Sequence, residues 1–490
     1  MARQMYKTCE SVCSYSTMSK TDRFAQKVAS DTLPRGYLVA STYAGIKKAI
    51  SPAPASTDAT PKVEPKPDLS LIVSSVPAAV AGTFTTNKFK AAPVVHATTA
   101  LAEAGPNPRT RAVLTNSGCA NAVTGKGGYD DTVTLVNQVR ALLTPAAKPD
   151  QPTTPSDVLM MSTGVIGVRL PVPTMQRAVH HLVTGQVLQS NADAWYEVAR
   201  AFMTTDTFPK LRTRQFTLGN RLCSIAGIDK GAGMIHPHMT TTGGLHATLL
   251  GIFATDAPIA SSTLQRCLDE AVRVSFNCIS VDGDMSTNDT ILALANGQAP
   301  ATSEGEPIEG DITEQSHPAL VQQFAEELKS MCMEMAHLIV RDGEGAEKFV
   351  EIRVRNAGTY EQAHAIAASV STSALVKCAM HGEDANWGRI LCATGYASLP
   401  TSSPAWDIDP RKVNVTFMPP ASAPGLEPLK TLIDGVPQVV DEVHAAKLLS
   451  HEDIIIDMDL QGGSWGTKGQ AEATYWTCDF SKEYITVRIH

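Results

Sequence analysis

Residues 230–256 read KGAGMIHPHMTTTGGLHATLLGIFATD, a loop rich in glycine and threonine that leads directly into an apolar segment. The unbroken apolar run at 249–254 is typical of a strand that is buried on both faces of a sheet. Thr248 stands immediately before this run. A break of the peptide bond before Thr248 would give it a free α-amine, whose ordinary pKa of about 7.7–8.0 suits it as the base for its own hydroxyl. The stretch predicts a buried strand that begins next to a candidate nucleophile, and an ordinary glycine-rich turn is the alternative.

The segments around this strand alternate between helical and extended patterns. Apolar residues at helical spacing predict a helix over residues 320–335, and a second helix behind a capping box formed by Ser262 and Gln265. Small apolar residues at helical spacing over 366–378 suit close packing of a third helix. Alternating apolar and charged residues at 350–354 predict a strand. The predicted class is therefore mixed α/β.

The composition excludes several classes of protein. The 490 residues carry a formal net charge of −8 and no long basic run, which argues against nucleic acid as the main partner. No uncharged apolar run approaches the ~20 residues of a membrane span, so no membrane association is predicted. The ten cysteines lack tight metal spacings and are typical of reduced intracellular thiols. By length alone, two or three domains would be expected.

The N-terminus has a composition of its own. Residues 1–35 hold six Lys or Arg residues against three acidic ones, with interspersed serines. A basic, Ser-rich and acid-poor start is typical of a mitochondrial transit peptide, and a merely disordered N-terminus is the alternative.

Seven short motifs follow one another along the chain. The chain resembles the ornithine acetyltransferase (ArgJ) family, particularly its fungal mitochondrial members, from about residue 36 to about residue 484. The motifs that carry this resemblance are TTNK at 85–88, TNSGCANA at 115–122, STGVIG at 162–167, TTDT at 204–207, KGAGMI at 230–235, DGEGA at 342–346 and NWGRI at 386–390.

The resemblance implies a sandwich of β-sheets flanked by helices, of the DmpA/ArgJ and N-terminal-nucleophile-like type. Members of this family cleave themselves between an alanine and a threonine, which here are Ala247 and Thr248. The implied products are an α chain over residues 36–247 and a β chain over 248–490.

The resemblance also implies an activity and its residues. Thr248 would take the acetyl group of N-acetylornithine as an ester and pass it to glutamate by a ping-pong reaction in arginine biosynthesis. Thr163 and Gly164 match the family's oxyanion hole, which must stabilise the negative oxygen of a tetrahedral intermediate. Lys230 matches a binding position suited to a carboxylate, and Glu344 one suited to an ammonium group. A further binding position falls on Thr205, with its neighbour Thr204 as the alternative.

The family context adds expectations about partners. No cofactor is implied, although acetyl-CoA serves many members as a second acetyl donor to glutamate. The implied assembly is a heterotetramer of two α and two β chains in the mitochondrial matrix.

Two departures from the family pattern leave alternatives open. An insertion at residues 240–246 makes Thr240, Thr241 and Thr242 rivals of Thr248 as the nucleophile. The chain ends in Arg488-Ile489-His490, where the family has a substrate-contacting Asn and a terminal Ser or Thr. An Arg only donates hydrogen bonds, so it cannot replace an amide that donates and accepts. A catalytically impaired relative, or an aminopeptidase or amidase that uses the same threonine, are therefore the competing hypotheses.

Metal and thiol chemistry are weaker alternatives. A zinc site would need His236, His238 and His246, but Pro237 and the glycines between them disfavour a shared ligand face. Asp282, Asp284 and Asp289 lack the glycine that a calcium loop requires. Cys119 lacks an assignable histidine partner and fits a small buried residue. No metal is predicted.

Overall fold

The computed structural model describes residues 18–50, 65–144, 154–240 and 249–486. Within these ranges the helices are α1 Lys20–Phe24, α2 Ile46–Ile50, α3 Ala92–Glu103, α4 Gly125–Leu143, α5 Val172–Thr184, α6 Ala192–Phe202, α7 Ser261–Arg273, α8 Pro318–Arg341, α9 Tyr360–Thr372, α10 Ala374–His381, α11 Trp387–Gly395, α12 Glu442–Leu449 and α13 Lys482–Thr486. The strands are β1 Tyr37–Thr42, β2 Leu69–Phe84, β3 Arg109–Asn116, β4 Val158–Ser162, β5 Lys210–Leu218, β6 Arg221–Lys230, β7 Leu250–Thr255, β8 Ile279–Ser280, β9 Thr290–Ala295, β10 Phe349–Ala357, β11 Asn414–Met418, β12 Leu429–Ile433, β13 Val436–Pro437, β14 Asp453–Asp459 and β15 Ala471–Cys478.

The apolar run after residue 248 forms β7, an interior strand of the first sheet. This sheet has the order β4-β3-β2-β9-β7-β6-β5, and β1 pairs with β2 beside it. Leu250, the first residue of β7, pairs with Lys230 of β6 on one side and with Thr290 of β9 on the other. All six residues of β7 are buried, which confirms the prediction of a strand covered on both faces.

The second sheet has the order β13-β12-β11-β14-β10-β15-β8 and comes entirely from residues beyond 248. Its strand β10 contains the predicted alternation, with Val350, Ile352 and Val354 buried. Helices α7 and α8 and both sheets contribute to one continuous apolar cluster. The predicted mixed α/β class, with β-sheets flanked by helices, is confirmed.

The proposed cut would not separate two folding units. Strands β1–β6 lie before residue 248, yet β7 and β9 from beyond it complete the same sheet. Ile225 from the first half and Phe253 from the second share one buried cluster. The two halves therefore share one core, which is why length alone overestimates the number of domains.

Two local predictions about helices are wrong. Helix α7 begins at Ser261 after Ala260, and no side chain caps it, so Ser262 lies inside the helix instead of forming a capping box. The small-residue pattern over 366–378 is divided between α9 and α10, because Ser373 lies between them and accepts a hydrogen bond from the Val376 amide as the cap of α10.

A search for membrane-spanning helices covered the described ranges. No single helix there is both long enough and apolar enough to cross a membrane. Helices α9 and α10 meet the length and composition test only as a pair, and they are bent by 60° at their junction.

The N-terminal segment from residue 18 onward is packed against the body of the protein. The Lys20 ammonium donates to the Ala346 carbonyl at 2.8 Å, and the Thr21 hydroxyl donates to the Thr207 carbonyl at 3.0 Å. Val28 and Leu33 are buried in an apolar cluster. The expectation of a disordered N-terminus is therefore wrong for residues 18–35, and residues 1–17 lie outside the described ranges. A transit peptide that ended at residue 35 would take these contacts with it.

Candidate active site

A cleft of about 940 Å³ gathers residues from distant parts of the chain. Each predicted site residue within the described ranges lines it, namely Thr163, Gly164, Thr204, Thr205, Lys230 and Glu344. Both candidates for the threonine position, Thr204 and Thr205, face the same cleft. Ala247 and Thr248 lie outside the described residues, as do Thr241, Thr242 and His246. The structure resumes at Leu249, directly before β7.

The predicted oxyanion loop follows β4 and lies against a second glycine-containing loop. The Thr163 amide donates to the Asn116 carbonyl at 3.0 Å, and the Ala120 amide donates to the Val165 carbonyl at 2.9 Å. Gly164 has a φ of +123°, and a Cβ there would lie 2.5 Å from the Gly118 carbonyl carbon. A side chain at residue 164 is therefore excluded on both conformational and steric grounds.

Two asparagines hold these loops together. The side-chain oxygen of Asn116 accepts from the Gly118 and Cys119 amides at 3.2 and 3.0 Å. The side-chain amide of Asn288 donates to the Ala120 and Ser162 carbonyls, both at 2.7 Å. Asn116 belongs to a motif that the sequence had marked, whereas the role of Asn288 was missed. The Asn288–Ser162 hydrogen bond joins residues 126 positions apart, and no local sequence pattern predicts such a contact.

Lys230 ends β6 and is 3% exposed. Burial lowers the pKa of its ammonium group, and the nearby Asp206 carboxylate opposes that shift. Its ammonium group makes no hydrogen bond or ion pair with the described residues, and it lines the cleft. A buried, unpaired lysine in a cleft is suited to bind an anionic group of a ligand, because the ion pair would replace its lost hydration.

Glu344 lies in the turn that follows α8. Its backbone amide donates to the Ala232 carbonyl at 2.7 Å. A Cβ at Gly233 would lie 2.7 Å or less from the Glu344 carboxylate, so Gly233 leaves the space that this side chain occupies. The carboxylate makes no hydrogen bond to any part of the chain that the structure describes, and it also lines the cleft.

A buried ion-pair network lies behind these loops and was not predicted. Lys210 and Asp206 are fully buried at the side chain, as is Asp342, and the Lys210 ammonium contacts the two carboxylates at 2.7 and 2.6 Å. Asp206 also accepts from the Gly231 amide at 2.8 Å. Burial alone would raise the pKa of Asp206, but the ammonium groups of Lys210 and Lys230 hold that pKa below its ordinary value.

This Lys210 network joins three segments that line the cleft. Asp206 follows Thr204 and Thr205 and accepts a hydrogen bond from the Thr204 amide at 2.9 Å. Its bond to Gly231 secures the residue after Lys230. Asp342 precedes Glu344 by two positions. Through these two carboxylates, Lys210 therefore fixes the relative positions of the loops that contain Thr205, Lys230 and Glu344.

Of the alternative metal sites, the zinc candidate includes His246, which lies outside the described residues, and the calcium candidate lies within them. Asp282 accepts from the Met234 and Ile235 amides at 2.5 and 3.0 Å, which occupies the oxygens that calcium would need. The one described group of three possible ligands with mutually close atoms is Glu347, His381 and Asp479, away from the histidines and aspartates considered above. Asp479 is engaged with the Glu347 and Lys348 amides, both at 2.8 Å.

Cys119 is not arranged as a nucleophile. Its side chain is buried and its thiol donates to the Val168 carbonyl at 3.2 Å. Burial raises the pKa of this thiol to about 11, so the reactive thiolate is scarce at neutral pH.

The C-terminal segment runs up to the cleft. The Ser481 hydroxyl donates to the Gly345 carbonyl at 2.6 Å, and Tyr484 lines the cleft. The CDFS segment at 478–481 thus anchors the chain end beside the Glu344 turn. Residues 488–490, where this chain departs from the family pattern, lie outside the described residues.

If Thr163 stabilises an oxyanion, Thr163→Val should lower kcat by about 10²–10³-fold, the usual effect of losing one oxyanion donor. Valine has nearly the same shape but lacks the hydroxyl, which makes no hydrogen bond within the described ranges. Thr163→Ser is the matched control and should retain most of the rate. Equal rates for the valine and serine variants would contradict this role.

The fold and the cleft define the class of protein. Two sheets share one core, and their loops bring a glycine-lined turn, a buried lysine and a carboxylate to one concave site. Such a site belongs to an α/β enzyme that acts on a small charged molecule.

Comparison with known proteins identifies the family. The model of the ArgJ family matches residues 54–489. The chain therefore belongs to the ArgJ family, which confirms the family predicted from the seven motifs.

Several relatives match along almost the whole chain. A protein of Malassezia globosa is 70% identical over 488 residues, covering 96% of both chains, and is named "Arginine biosynthesis bifunctional protein ArgJ, mitochondrial". A protein of Cryptococcus neoformans with the same name is 47% identical over 479 residues, covering 96% of this chain and 93% of its own. Both names include the mitochondrion, which confirms the mitochondrial part of the predicted localisation.

Solved structures overlap only in part. The crystal structure of the Bacillus halodurans arginine biosynthesis bifunctional protein ArgJ covers 47% of this chain and 93% of its own, with 29% identity and a TM-score of 0.39. The family assignment rests on the sequence matches.

Proposed function

We propose that the protein is a glutamate N-acetyltransferase of arginine biosynthesis, which moves the acetyl group of N-acetylornithine to glutamate through an ester on Thr248. Its relatives are named bifunctional proteins of arginine biosynthesis. We propose acetyl-CoA as a second acetyl donor, with no bound cofactor.

One observation carries this proposal. The Thr163 hydroxyl, the Lys230 ammonium group and the Glu344 carboxylate all line one cleft, and within the described ranges none has a hydrogen-bond partner. These are the groups that an acetylated amino acid with a carboxylate and a distal ammonium group would need. Lys230 also pairs with Leu250 across β6 and β7, so the cationic group lies beside the strand that residue 248 precedes.

The first half of the reaction would form the ester. The Thr248 hydroxyl attacks the acetyl carbonyl, and its proton passes to the α-amine that self-cleavage has freed. The carbonyl oxygen becomes an oxyanion, which the Thr163 hydroxyl and the Gly164 amide stabilise. The C–N bond then breaks, and the ornithine nitrogen takes the proton from the Thr248 amine.

The second half would reverse these steps with a new amine. The glutamate amine attacks the ester carbonyl, the same donors stabilise the oxyanion, and the C–O bond to Thr248 breaks. The proton lost by the glutamate nitrogen returns to the Thr248 oxygen. Lys230 would hold the substrate carboxylate in both halves, whereas Glu344 would hold the distal ammonium group of ornithine, because opposite charges attract strongly where water is scarce.

The assembly and its maturation are part of the proposal. We propose cleavage into an α chain that ends at Ala247 and a β chain that begins at Thr248, and a heterotetramer of two of each in the mitochondrial matrix. The shared core supports cleavage without dissociation, because β7 and β9 from the second chain stay inserted between β2 and β6 from the first.

We expect the purified protein, given N-acetylornithine and glutamate, to form N-acetylglutamate and ornithine faster than it forms free acetate. Product quantification by mass spectrometry with ¹⁵N-glutamate measures both rates. Double-reciprocal plots of initial rate against N-acetylornithine concentration, at several fixed glutamate concentrations, should give parallel lines, as a ping-pong reaction requires. Acetate as the main product would instead favour an aminopeptidase or amidase.

The altered tail defines a separate outcome. Correct cleavage with neither product would favour a catalytically impaired relative. Replacing residues 488–490 by a tail that ends in an Asn and a Thr should then restore transfer.

A further inference from the structure

The cleft has a second cationic region that the amino-acid reaction does not use. Lys47, Lys48 and Lys66 line it together with Tyr43. Lys47 and Lys48 are exposed neighbours on α2, and neither has an ion pair or a side-chain hydrogen bond within the described ranges. Lys66 is partly buried, and its ammonium donates to the Met203 carbonyl.

These lysines lie close to one another and to the transfer site. Burial lowers the pKa of Lys66; the carboxylates of Asp206 and Asp68 oppose that shift, and the charges of Lys230 and Lys47 add to it. The ammonium groups of Lys66, Lys47 and Lys230 therefore lie within electrostatic reach of one another. A Cβ at Gly118 would lie 2.8 Å from the Lys47 backbone nitrogen, and Gly118 itself packs on Gly164. The lysines thus flank the wall that carries the predicted oxyanion donors.

Among the described residues, the acidic residue that lines the cleft beside these lysines is Asp68, and its carboxylate is already engaged. Asp68 accepts hydrogen bonds from the Ala44 and Ile46 amides at 2.6 and 2.7 Å, so its carboxylate secures the turn before α2. The other acidic lining residues are Asp282, Asp284 and Glu344. Asp282 accepts from the Met234 amide, and Glu344 packs on Gly233. In a protein with a net charge of −8, this cationic wall therefore attracts a polyanion locally.

An exposed aromatic ring adds a second kind of contact. Tyr43 is 46% exposed although it lines the cleft. An exposed aromatic face is suited to stack on a nucleobase. Lysines beside such a face are suited to the phosphates of the same nucleotide.

The cleft is also larger than glutamate or N-acetylornithine would occupy. Pockets of about 300–1,000 Å³ hold drug-sized ligands, and this cleft of about 940 Å³ lies at the upper end of that range. Glutamate and N-acetylornithine are much smaller than such ligands. Lys230 and Glu344 are suited to pair with the charged groups of these amino acids. The part of the cleft lined by Tyr43 and the three lysines is then left without a ligand.

We infer that Tyr43, Lys47, Lys48 and Lys66 form a nucleotide-binding wall that holds the phosphorylated adenosine end of an acetyl-CoA donor, while its thioester reaches Thr163 and Gly164. This inference rests on the proposed acetyl transfer and names the site of its second donor. The step balances without a further reactant. The Thr248 oxygen forms a bond to the acetyl carbon, the C–S bond breaks, and the hydroxyl proton passes by way of the α-amine to the sulfur, which leaves as the thiol of CoA.

The test combines a charge reversal with a truncated donor. In Lys47→Glu/Lys48→Glu, we expect KM for acetyl-CoA to rise at least tenfold, because charge-assisted hydrogen bonds to phosphate are lost and repulsion replaces them. Transfer from N-acetylornithine to glutamate should keep its kcat and KM. S-acetylpantetheine, which lacks the nucleotide, should be used equally well by the variant and the parent protein.

Two controls make the result specific. Lys430→Glu/Lys447→Glu makes the same change in net charge on β12 and α12, at two lysines that do not line the cleft, and should leave KM for acetyl-CoA unchanged. Tyr43→Ala should weaken inhibition by adenosine 3′,5′-bisphosphate about tenfold or more.

The outcomes separate this inference from the proposed function. A parent protein that transfers acetyl groups from N-acetylornithine but not from acetyl-CoA overturns the inference and the proposed second donor, and leaves the proposed transfer from N-acetylornithine to glutamate intact. An unchanged KM for acetyl-CoA in the lysine variant overturns it as well. A rise in KM for glutamate with both donors would assign the lysines to the amino-acid acceptor instead. A parent protein without any acetyl transfer overturns the proposed function itself.

Discussion

The Thr248→Ala variant is expected to accumulate as one uncut chain and to show no detectable acetyl transfer. Alanine lacks the hydroxyl that must attack the preceding carbonyl during self-cleavage, and later the acetyl group. Without cleavage the α-amine of residue 248 stays in a peptide bond and cannot act as a base. Intact-mass spectrometry under denaturing conditions should find two chains in the parent protein and one in the variant.

Two control variants distinguish Thr248 from the neighbouring threonines. Thr240→Ala should cleave normally, because Thr240 is paired through its backbone with Phe84 in a short antiparallel bridge and its side chain has no assigned role. Thr248→Ser retains a hydroxyl and should still cleave. A cut before any residue other than 248 in the parent protein, or a Thr248→Ala variant that still cleaves, would contradict the assignment.

The Lys210→Met variant is expected to lose about 3–5 kcal/mol of stability, the usual cost of removing one partner from a buried ion pair. Asp206 and Asp342 each place a carboxylate within 2.7 Å of this ammonium group, and all three side chains are fully buried. Methionine fills most of the volume but removes the one ammonium group that contacts both buried carboxylates within the described ranges. The midpoint of urea unfolding, followed by circular dichroism, measures the loss.

Matched variants show whether the cost comes from buried charge. Lys126→Met removes the exposed ion pair with Asp130, whose two side chains are 86% and 53% exposed, and should cost no more than about 1 kcal/mol. The triple variant Lys210→Met/Asp206→Asn/Asp342→Asn removes both stranded charges and should recover part of the loss. A Lys210→Met variant as stable as Lys126→Met would contradict the structural role of this network.

The same network should affect the amino-acid substrates. Its carboxylates secure the loops of Thr205, Lys230 and Glu344, so the folded fraction of Lys210→Met should have a higher KM for N-acetylornithine. Thr163 is held from the other side, by the Asn116 carbonyl, and depends less on this lysine.

Sequence patterns predicted those strands whose formation depends on the burial of neighbouring side chains. The apolar run at 249–254 predicted β7, Leu250–Thr255, because an interior strand buries consecutive residues on both of its faces. The alternation at 350–354 became β10 for the equivalent reason, with one face of the strand buried. The capping box at Ser262 was wrong because α7 begins at Ser261, packed against the sheet and without a side-chain cap. Tertiary packing outweighs a cap worth about 1 kcal/mol.

The candidate site was predictable only as a set of residue types. The motifs marked Thr163, Lys230 and Glu344, and all three line the cleft. Nothing local marked Lys210 or Asn288, because their partners are far away in the chain. Asp342 lies 132 residues from Lys210, and Ser162 lies 126 residues from Asn288.

By itself the sequence determined the chemistry that is available: a candidate nucleophile before a buried strand, glycines that allow a tight turn, and a lysine and a glutamate for charged substrates. That Thr163, Gly164, Lys230 and Glu344 line one cleft follows from the folded chain alone. The physical reason is that strand identity follows from the burial of neighbouring side chains. The meeting of distant loops, by contrast, depends on strand order and on buried contacts such as those of Lys210, which no local pattern encodes.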